Sequence, residues 1–237
     1  MIFKNTYTGN WEGAFRGMRF PMNSNNKADT KWYEDIIENE RKCLNQCIDV
    51  RTEEAMFLGI GPNDMDLAQR LIKAGPPHDK FLRQIFVSVD ITAPLYLWKE
   101  LDQYKVGTVT DSASTMHKLS STPITRDCFE MDDFDGSLKM YDNEPWKVDD
   151  YTDDIWDSII DYCETLRQRY IETKDERYWK ELLRILPESW LQKRHWSANY
   201  SVVRSIVKQR DGHRLSEWEA FIDWARSLPY AEQLLFI

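Results

Sequence analysis

Between Phe81 and Ile91 the chain carries Ile85-Phe86-Val87-Ser88-Val89-Asp90-Ile91, a run of β-branched and aromatic residues that reads as the strongest strand in the sequence. The segments around it keep helical spacing instead. Lys31 to Val50 places Trp32, Ile36, Ile37, Cys43, Leu44 and Cys47 at mostly three-, four- and seven-residue steps, the pattern of an amphipathic helix. Asn63 or Asp64 is positioned to cap a helix through Leu67, Leu71 and Ile72 that stops at Gly75-Pro76-Pro77. Pro94 opens a helix with Tyr96, Leu97, Leu101 and Tyr104 as its stripe, and Thr108 to Thr115 beyond Gly107 reads as a hydroxyl-rich loop. Further helices are predicted over Ile155–Thr173, Glu176–Leu186, Asn199–Arg210 and Ser216–Leu228, with a helix or turn over Trp11–Phe20 and a short strand at Ile2-Phe3. One long strand among many helices is an α+β pattern.

At 237 residues the chain has the length of one large domain or two small ones, and 42% apolar with 13% aromatic residues is far too much for a disordered chain. No apolar run approaches the length that spans a bilayer. Met1-Ile2-Phe3-Lys4-Asn5-Thr6 lacks a signal peptide's basic start and long apolar middle, so a cytoplasmic location is expected. Cys43, Cys47, Cys128 and Cys163 do not form a disulfide framework in a chain this long. Cys43 and Cys47 share a helical face, which suits core packing better than metal binding with no His or further Cys nearby.

The stretch from Asp127 to Asp157 carries more than the whole net charge of −9, since twelve acidic residues there face only Lys139 and Lys147 and the rest of the chain is close to neutral. That stretch reads as a solvated loop and helix start, since no EF-hand spacing is present. Trp190 to Arg214, by contrast, carries Lys193, Arg194, Arg204, Lys208, Arg210 and Arg214 against Asp211 alone. A duplex-binding protein needs a broad basic face, so a single small phosphorylated ligand fits this distribution better. Gly61-Pro62 and Gly75-Pro76 offer no phosphate-cradling glycine motif.

On the helix from Asn199, Val203, Ile206 and Val207 form the buried stripe, and the polar Asn199 and Arg210 lie at its two ends, about 16 Å apart. Two readings stand side by side. Asn199 caps the helix and Arg210 snorkels at its C-terminus, or the face lines a ligand site in which the Arg210 fork holds a phosphate. Ser114 and His117 superficially suggest a hydrolase, but no Gly-x-Ser-x-Gly elbow or third member accompanies them.

The segments Leu186-Pro187-Glu188-Ser189-Trp190, Trp196-Ser197-Ala198-Asn199, Arg210 and Glu217-Trp218-Glu219 resemble, in order and in the Asn-to-Arg spacing, the C-terminal half of the flavin-dependent thymidylate synthases. Pro77-His78 ahead of the strand is similar to that family's histidine before its central strand. The helix Pro94–Lys105 with the Ser/Thr loop beyond it resembles the signature region. The family's Arg-His-Arg falls on Gln103-Tyr104-Lys105, the Arg two residues after its Asn falls on Ser201, and the Gln ahead of the triplet on Glu100. Arg184 and His213 match only after a one-residue shift.

The resemblance implies one domain over 1–237, predominantly helical with a small central sheet and an acidic insertion around 127–157, assembled as a homotetramer with sites between subunits. It implies reductive methylation of dUMP at C5, with methylenetetrahydrofolate as carbon donor and hydride delivered through FAD reduced by NADPH. By the same resemblance His78, Lys105 and Asn199 would contact FAD, while Glu100, Ser112, Ser114 and Arg210 would serve the nucleotide. FAD would bind weakly, because Gln103 and Ser201 replace cationic donors. The competing expectation is a nucleotide-binding or pyrimidine-modifying protein on the same scaffold without the standard flavin chemistry. Trp190, Trp196, Trp218 and Trp224 crowd one region and add an independent expectation of a homo-oligomer.

Overall fold

The computed structural model describes residues 1–34, 50–51, 56–114, 119, 121–138 and 151–237. Seven strands are described: β1 (Ile2–Gly9), β2 (Lys31–Glu34), β3 (Val50–Arg51), β4 (Met56–Gly59), β5 (Phe86–Pro94), β6 (Val109–Ser112) and β7 (Leu191–Asn199). The helices are α1 (Trp11–Gly17), α2 (Pro62–Ala74), α3 (Leu95–Leu101), α4 (Thr152–Thr173), α5 (Glu176–Ile185), α6 (Tyr200–Arg210), α7 (Glu217–Arg226) and α8 (Ala231–Leu234). The chain divides into two compact units. The first comprises Met1–Ile91, Asp102–Asp111 and His195–Ile237, the second Thr92–Leu101 and Ser112–Arg194.

The first unit is organised by a sheet of order β1-β5-β7-β6. Along β5, Val87, Val89 and Ile91 are buried while Phe86, Ser88 and Asp90 are not, the alternation of a strand with one face on a core. Each of those buried aliphatic side chains contributes roughly 1.5–3 kcal/mol by its removal from water. The core beneath is aromatic. Trp11 meets Tyr200 edge-on at 4.9 Å, Phe3 stacks on Trp224 at 4.9 Å, and Trp196, Trp218 and Phe221 interlock with them. Trp196, Trp218 and Trp224 are thus buried within this chain. On the other face of the sheet Asp90 accepts from Asn5 Nδ2 at 2.9 Å and pairs with His195 Nδ1 at 2.8 Å.

Around α2 the polar contacts are the fold's fastening. Its N-cap is Gly61 rather than Asn63 or Asp64, and the capping carboxylate comes from Asp29, which accepts the amides of Asn63 at 2.8 Å and Asp64 at 2.9 Å. A Cβ on Gly61 would collide with Asp29, so the close approach demands glycine. Asp64, nearly inaccessible, accepts Arg19 Nε at 2.5 Å and the amides of Asp29 at 3.1 Å and Thr30 at 2.8 Å. Burial opposes its ionised form, but the Thr30, Arg19 and Asp29 hydrogen bonds outweigh that and hold its carboxyl below the usual range.

The helix predicted over Lys31–Val50 is corrected at both ends. Lys31–Glu34 is β2, paired antiparallel with β4 from Lys31–Gly59 to Glu34–Met56, and Val50 opens β3 on the other side of β4. Cys43 and Cys47 lie outside the described residues. The expectation of one long strand and a short one at Ile2-Phe3 is likewise too sparse. β1 runs eight residues, β6 replaces half of the expected loop after Gly107, and β7 occupies a segment for which no strand was expected. Pro94 closes β5 instead of opening α3. The α+β class, largely helical with a small sheet, stands.

In the second unit α4 and α5 form a hairpin. Lys174 turns left-handed at φ 57°, and Asp175 then caps α5 by accepting the Arg177 amide at 2.9 Å. Ile160, Cys163 and Leu166 on α4 pack with Leu182 on α5 and with Leu119, Ile124 and Phe129. Burial pushes the Cys163 thiol up to about 11. The acidic stretch is in part the start of α4, where Asp153 and Asp154 complement the helix dipole and Arg126 pairs with Asp153 and Asp157. Residues 139–150 of it lie outside the described residues. Among the described residues no group of three or more His, Cys, Asp or Glu could hold a metal ion, and no helix is long and apolar enough to cross a membrane.

Candidate functional site

Three segments of the first unit border a solvent-open cavity of about 480 Å3: the 3-10 turn Lys80–Gln84, the turn Gln103–Gly107, and the opening of α6. Arg83 and Lys105 supply two cations, Gln103, Asn199, Ser201 and Ser205 supply neutral donors and acceptors, and Val106 and Val202 supply apolar wall. Among the described residues no carboxylate lines it. With the positive end of α6 alongside, the cavity is electropositive, as a site for an anion must be.

Asn199 shows how the local chain builds this. It ends β7 in extended conformation and turns its Oδ1 to accept the Val202 amide at 3.1 Å, which caps α6. The Tyr200 amide is taken by Ile85 O at 3.0 Å, tying the helix start to the residue before β5. With Oδ1 committed, the Nδ2 donor is the part of the carboxamide that faces Gly107. A Cβ on Gly107 would stand 2.9 Å from Nδ2 and 3.3 Å from Val202 Cγ2, and the residue's φ is +82°. Only glycine meets both requirements.

At the far end of α6, Arg210 is framed rather than snorkelling. Its Nε donates to the Tyr104 hydroxyl at 3.0 Å, its Nη1 lies 3.1 Å from His213 Nε2, and its guanidinium stands 4.5 Å from the Trp218 ring centroid. Tyr104 also lines the cavity. Other cations of the basic segment make their own local contacts. Arg204 donates to Ile237 O at 3.1 Å, Lys208 borders a separate cavity of about 150 Å3 with Phe236, and Arg194, in the second unit, stacks 4.3 Å over Trp98. Burial lowers the pKa of both Arg204 and Lys208.

Of the residues expected to serve a cofactor, Lys105 and Asn199 are brought together in the cavity, whereas His78 is exposed on the turn after Pro77 and outside the lining. Arg210 reaches the same region through Tyr104. Glu100, Ser112 and Ser114 belong to the second unit, where Gln192 Nε2 donates to Ala113 O at 2.9 Å and the Ala113 amide to Lys193 O at 2.9 Å. His117, the other half of the Ser/His pair, lies outside the described residues. Sequence reasoning missed Arg83 and Ser205. In Lys80-Phe81-Leu82-Arg83 the buried Phe81 and Leu82 mark both cations as outward, but only tertiary packing decides which one meets the cavity.

No protein-family model matches this sequence, and no curated protein matches it. Among solved structures the chain is similar to the Helicobacter pylori flavin-dependent thymidylate synthase ThyX complexed with FAD and dUMP, at 15% identity over 100% of this chain and 98% of that one, with a TM-score of 0.63. A second structure of ThyX from Helicobacter pylori with FAD and dUMP aligns at 16% identity over 99% of this chain and 95% of that one, with a TM-score of 0.61. Coverage that is nearly complete in both directions makes the likeness one of the whole architecture: this chain has the fold of the flavin-dependent thymidylate synthases.

Proposed function

We propose that the chain is a divergent flavin-dependent thymidylate synthase-like enzyme that binds FAD and a deoxyuridine nucleotide and methylates the uracil ring. The observation that carries this reading is the electropositive cavity at the start of α6, whose lining joins Lys105 to Asn199 in a fold whose solved neighbours hold FAD and dUMP. Its donor set fits a flavin nucleotide. Arg83 and Lys105 would neutralise phosphate charge, and Asn199 Nδ2, Gln103, Ser201 and Ser205 would hydrogen-bond the polar groups beside it. A bound flavin would pass hydride from NADPH, with methylenetetrahydrofolate as the carbon donor. The chain's own part is to bind the two nucleotides, fix their relative orientation and exclude water, which is where a positioned site gains most of its rate. Arg210 would hold the 5′-phosphate through a guanidinium already fixed in plane by Tyr104, His213 and Trp218.

Gln103 and Ser201 favour a second reading. Both line the cavity at positions where the resembling family carries arginine, so the cation count there falls to Arg83 and Lys105. On that reading the chain keeps nucleotide binding and has lost or altered flavin chemistry. Titration by quenching of flavin fluorescence separates the two: a micromolar or tighter FAD complex, weakened about tenfold to a hundredfold by Lys105→Ala, supports the enzyme, and no quenching at millimolar FAD supports the alternative. For dUMP, Arg210→Ala is expected to cost about tenfold to a hundredfold in affinity by calorimetry, with Arg210→Lys intermediate. Deoxyuridine, lacking the phosphate, should bind all three forms alike. Equal dUMP affinities for wild type and Arg210→Ala would remove Arg210 from the site.

A further inference from the structure

The cavity and Arg210 are joined by an unbroken line of side-chain hydrogen bonds. Gln209 Nε2 donates to the Ser205 hydroxyl at 2.9 Å, the Tyr104 hydroxyl donates to Gln209 Oε1 at 3.2 Å, Arg210 Nε donates to the Tyr104 oxygen at 3.0 Å, and Arg210 Nη1 reaches His213 Nε2 at 3.1 Å. Ser205 and Tyr104 are cavity wall, whereas Gln209 and Arg210 are not. The Tyr104 hydroxyl therefore gives its single proton to one side and its lone pair to the other. It is the one member of the line that both touches the cavity and holds the guanidinium.

We propose that Tyr104 is a positioning residue that makes binding in the cavity and anion binding at Arg210 cooperative. The proposal rests on the reading that the cavity takes a flavin nucleotide and Arg210 a phosphate. A ligand packed against the Tyr104 ring restricts its rotamers, and with the ring fixed the hydroxyl stays under Arg210 Nε. The guanidinium then meets an anion with its plane already set, so the ordering cost is shared between the two ligands. By linkage the effect is reciprocal: the anion at Arg210 tightens the cavity ligand by the same factor. The chemistry is local to this chain, because it needs a tyrosine at position 104 and Gln209 one turn along from Ser205.

The test measures dUMP affinity calorimetrically, with and without saturating FAD, for the wild type and for Tyr104→Phe, which keeps the ring and deletes only the hydroxyl. FAD is expected to raise wild-type dUMP affinity roughly five- to tenfold, within the usual range of coupling between sites, and dUMP to raise FAD affinity equally. In Tyr104→Phe the ratio should fall to within about twofold of unity, and Gln209→Leu, which removes only the brace on that hydroxyl, should leave an intermediate ratio. Merely structural damage would lower both affinities without changing their ratio. Undiminished coupling in Tyr104→Phe overturns the role of Tyr104. Wild-type protein that binds both ligands independently overturns the cooperativity while leaving the proposed function intact, and wild-type protein that binds neither overturns both.

Discussion

Replacing Gly107 with alanine attacks the cavity through geometry alone, since it adds one methyl group and changes no charge. Two costs follow from the structure. An L-residue at φ +82° carries a penalty of about 1–2 kcal/mol. The new Cβ, 2.9 Å from Asn199 Nδ2, also drives that carboxamide off the Val202 amide, and loss of such a cap costs about 1 kcal/mol. The sum is about 2–3 kcal/mol, measurable as a lower urea midpoint at unchanged slope. Asn199→Ala alone should cost about 1 kcal/mol. In that background the alanine at 107 no longer has a cap to break, so its own penalty should shrink to the backbone strain and leave a coupling of about 1 kcal/mol in the double-mutant cycle. Additivity within a few tenths would show that Gly107 does not act through Asn199. Both single variants should weaken FAD binding, because each removes Nδ2 from where the cavity needs a donor.

Asp64→Ala strands the buried Arg19 guanidinium together with the amides of Asp29 and Thr30, and is expected to destabilise by about 3–5 kcal/mol in urea unfolding; a loss under 1 kcal/mol would mean the pair is not buried in solution. Glu164, held at about 2 chiefly by its hydrogen bonds from Arg167, has a folded pKa below its ordinary value of 4.5, so its contribution is complete above about pH 5 and disappears as pH falls toward 2. The gap in stability between wild type and Glu164→Gln, of order 2–3 kcal/mol at neutral pH, should therefore narrow through that window, and a gap independent of pH would refute the ionic origin.

What the sequence made legible is what local chemistry decides. The α6 stripe, the Asn199 cap, the stop at Gly75 and the helices either side of Lys174 follow from periodicity and capping residues, and the structure keeps all of them. The failures are tertiary. Leu191–Asn199 carries Lys193, Arg194 and His195 on a segment that looks soluble, yet it is a strand because β5 and β6 flank it in the sheet. Trp32 continues a helical spacing into the following residues, but pairing with β4 fixes Lys31–Glu34 as extended. The cap of α2 comes not from the residues beside the helix but from Asp29, 34 residues before Asn63.

The candidate site divides along the same line. Asn199 and Lys105 were found because short motifs carry them, and Arg83 was not because its role depends on the 3-10 turn lying along α6. That has a chemical consequence. Where the resembling family has arginine, positions 103 and 201 offer only an amide and a hydroxyl, but Arg83 brings one planar fork back into the same cavity from a different element. The deficit in cations is thus smaller than the motif alone implies. A phosphate held as proposed by Arg83 and Lys105 would be contacted from the turn before β5 as well as from the turn after α3.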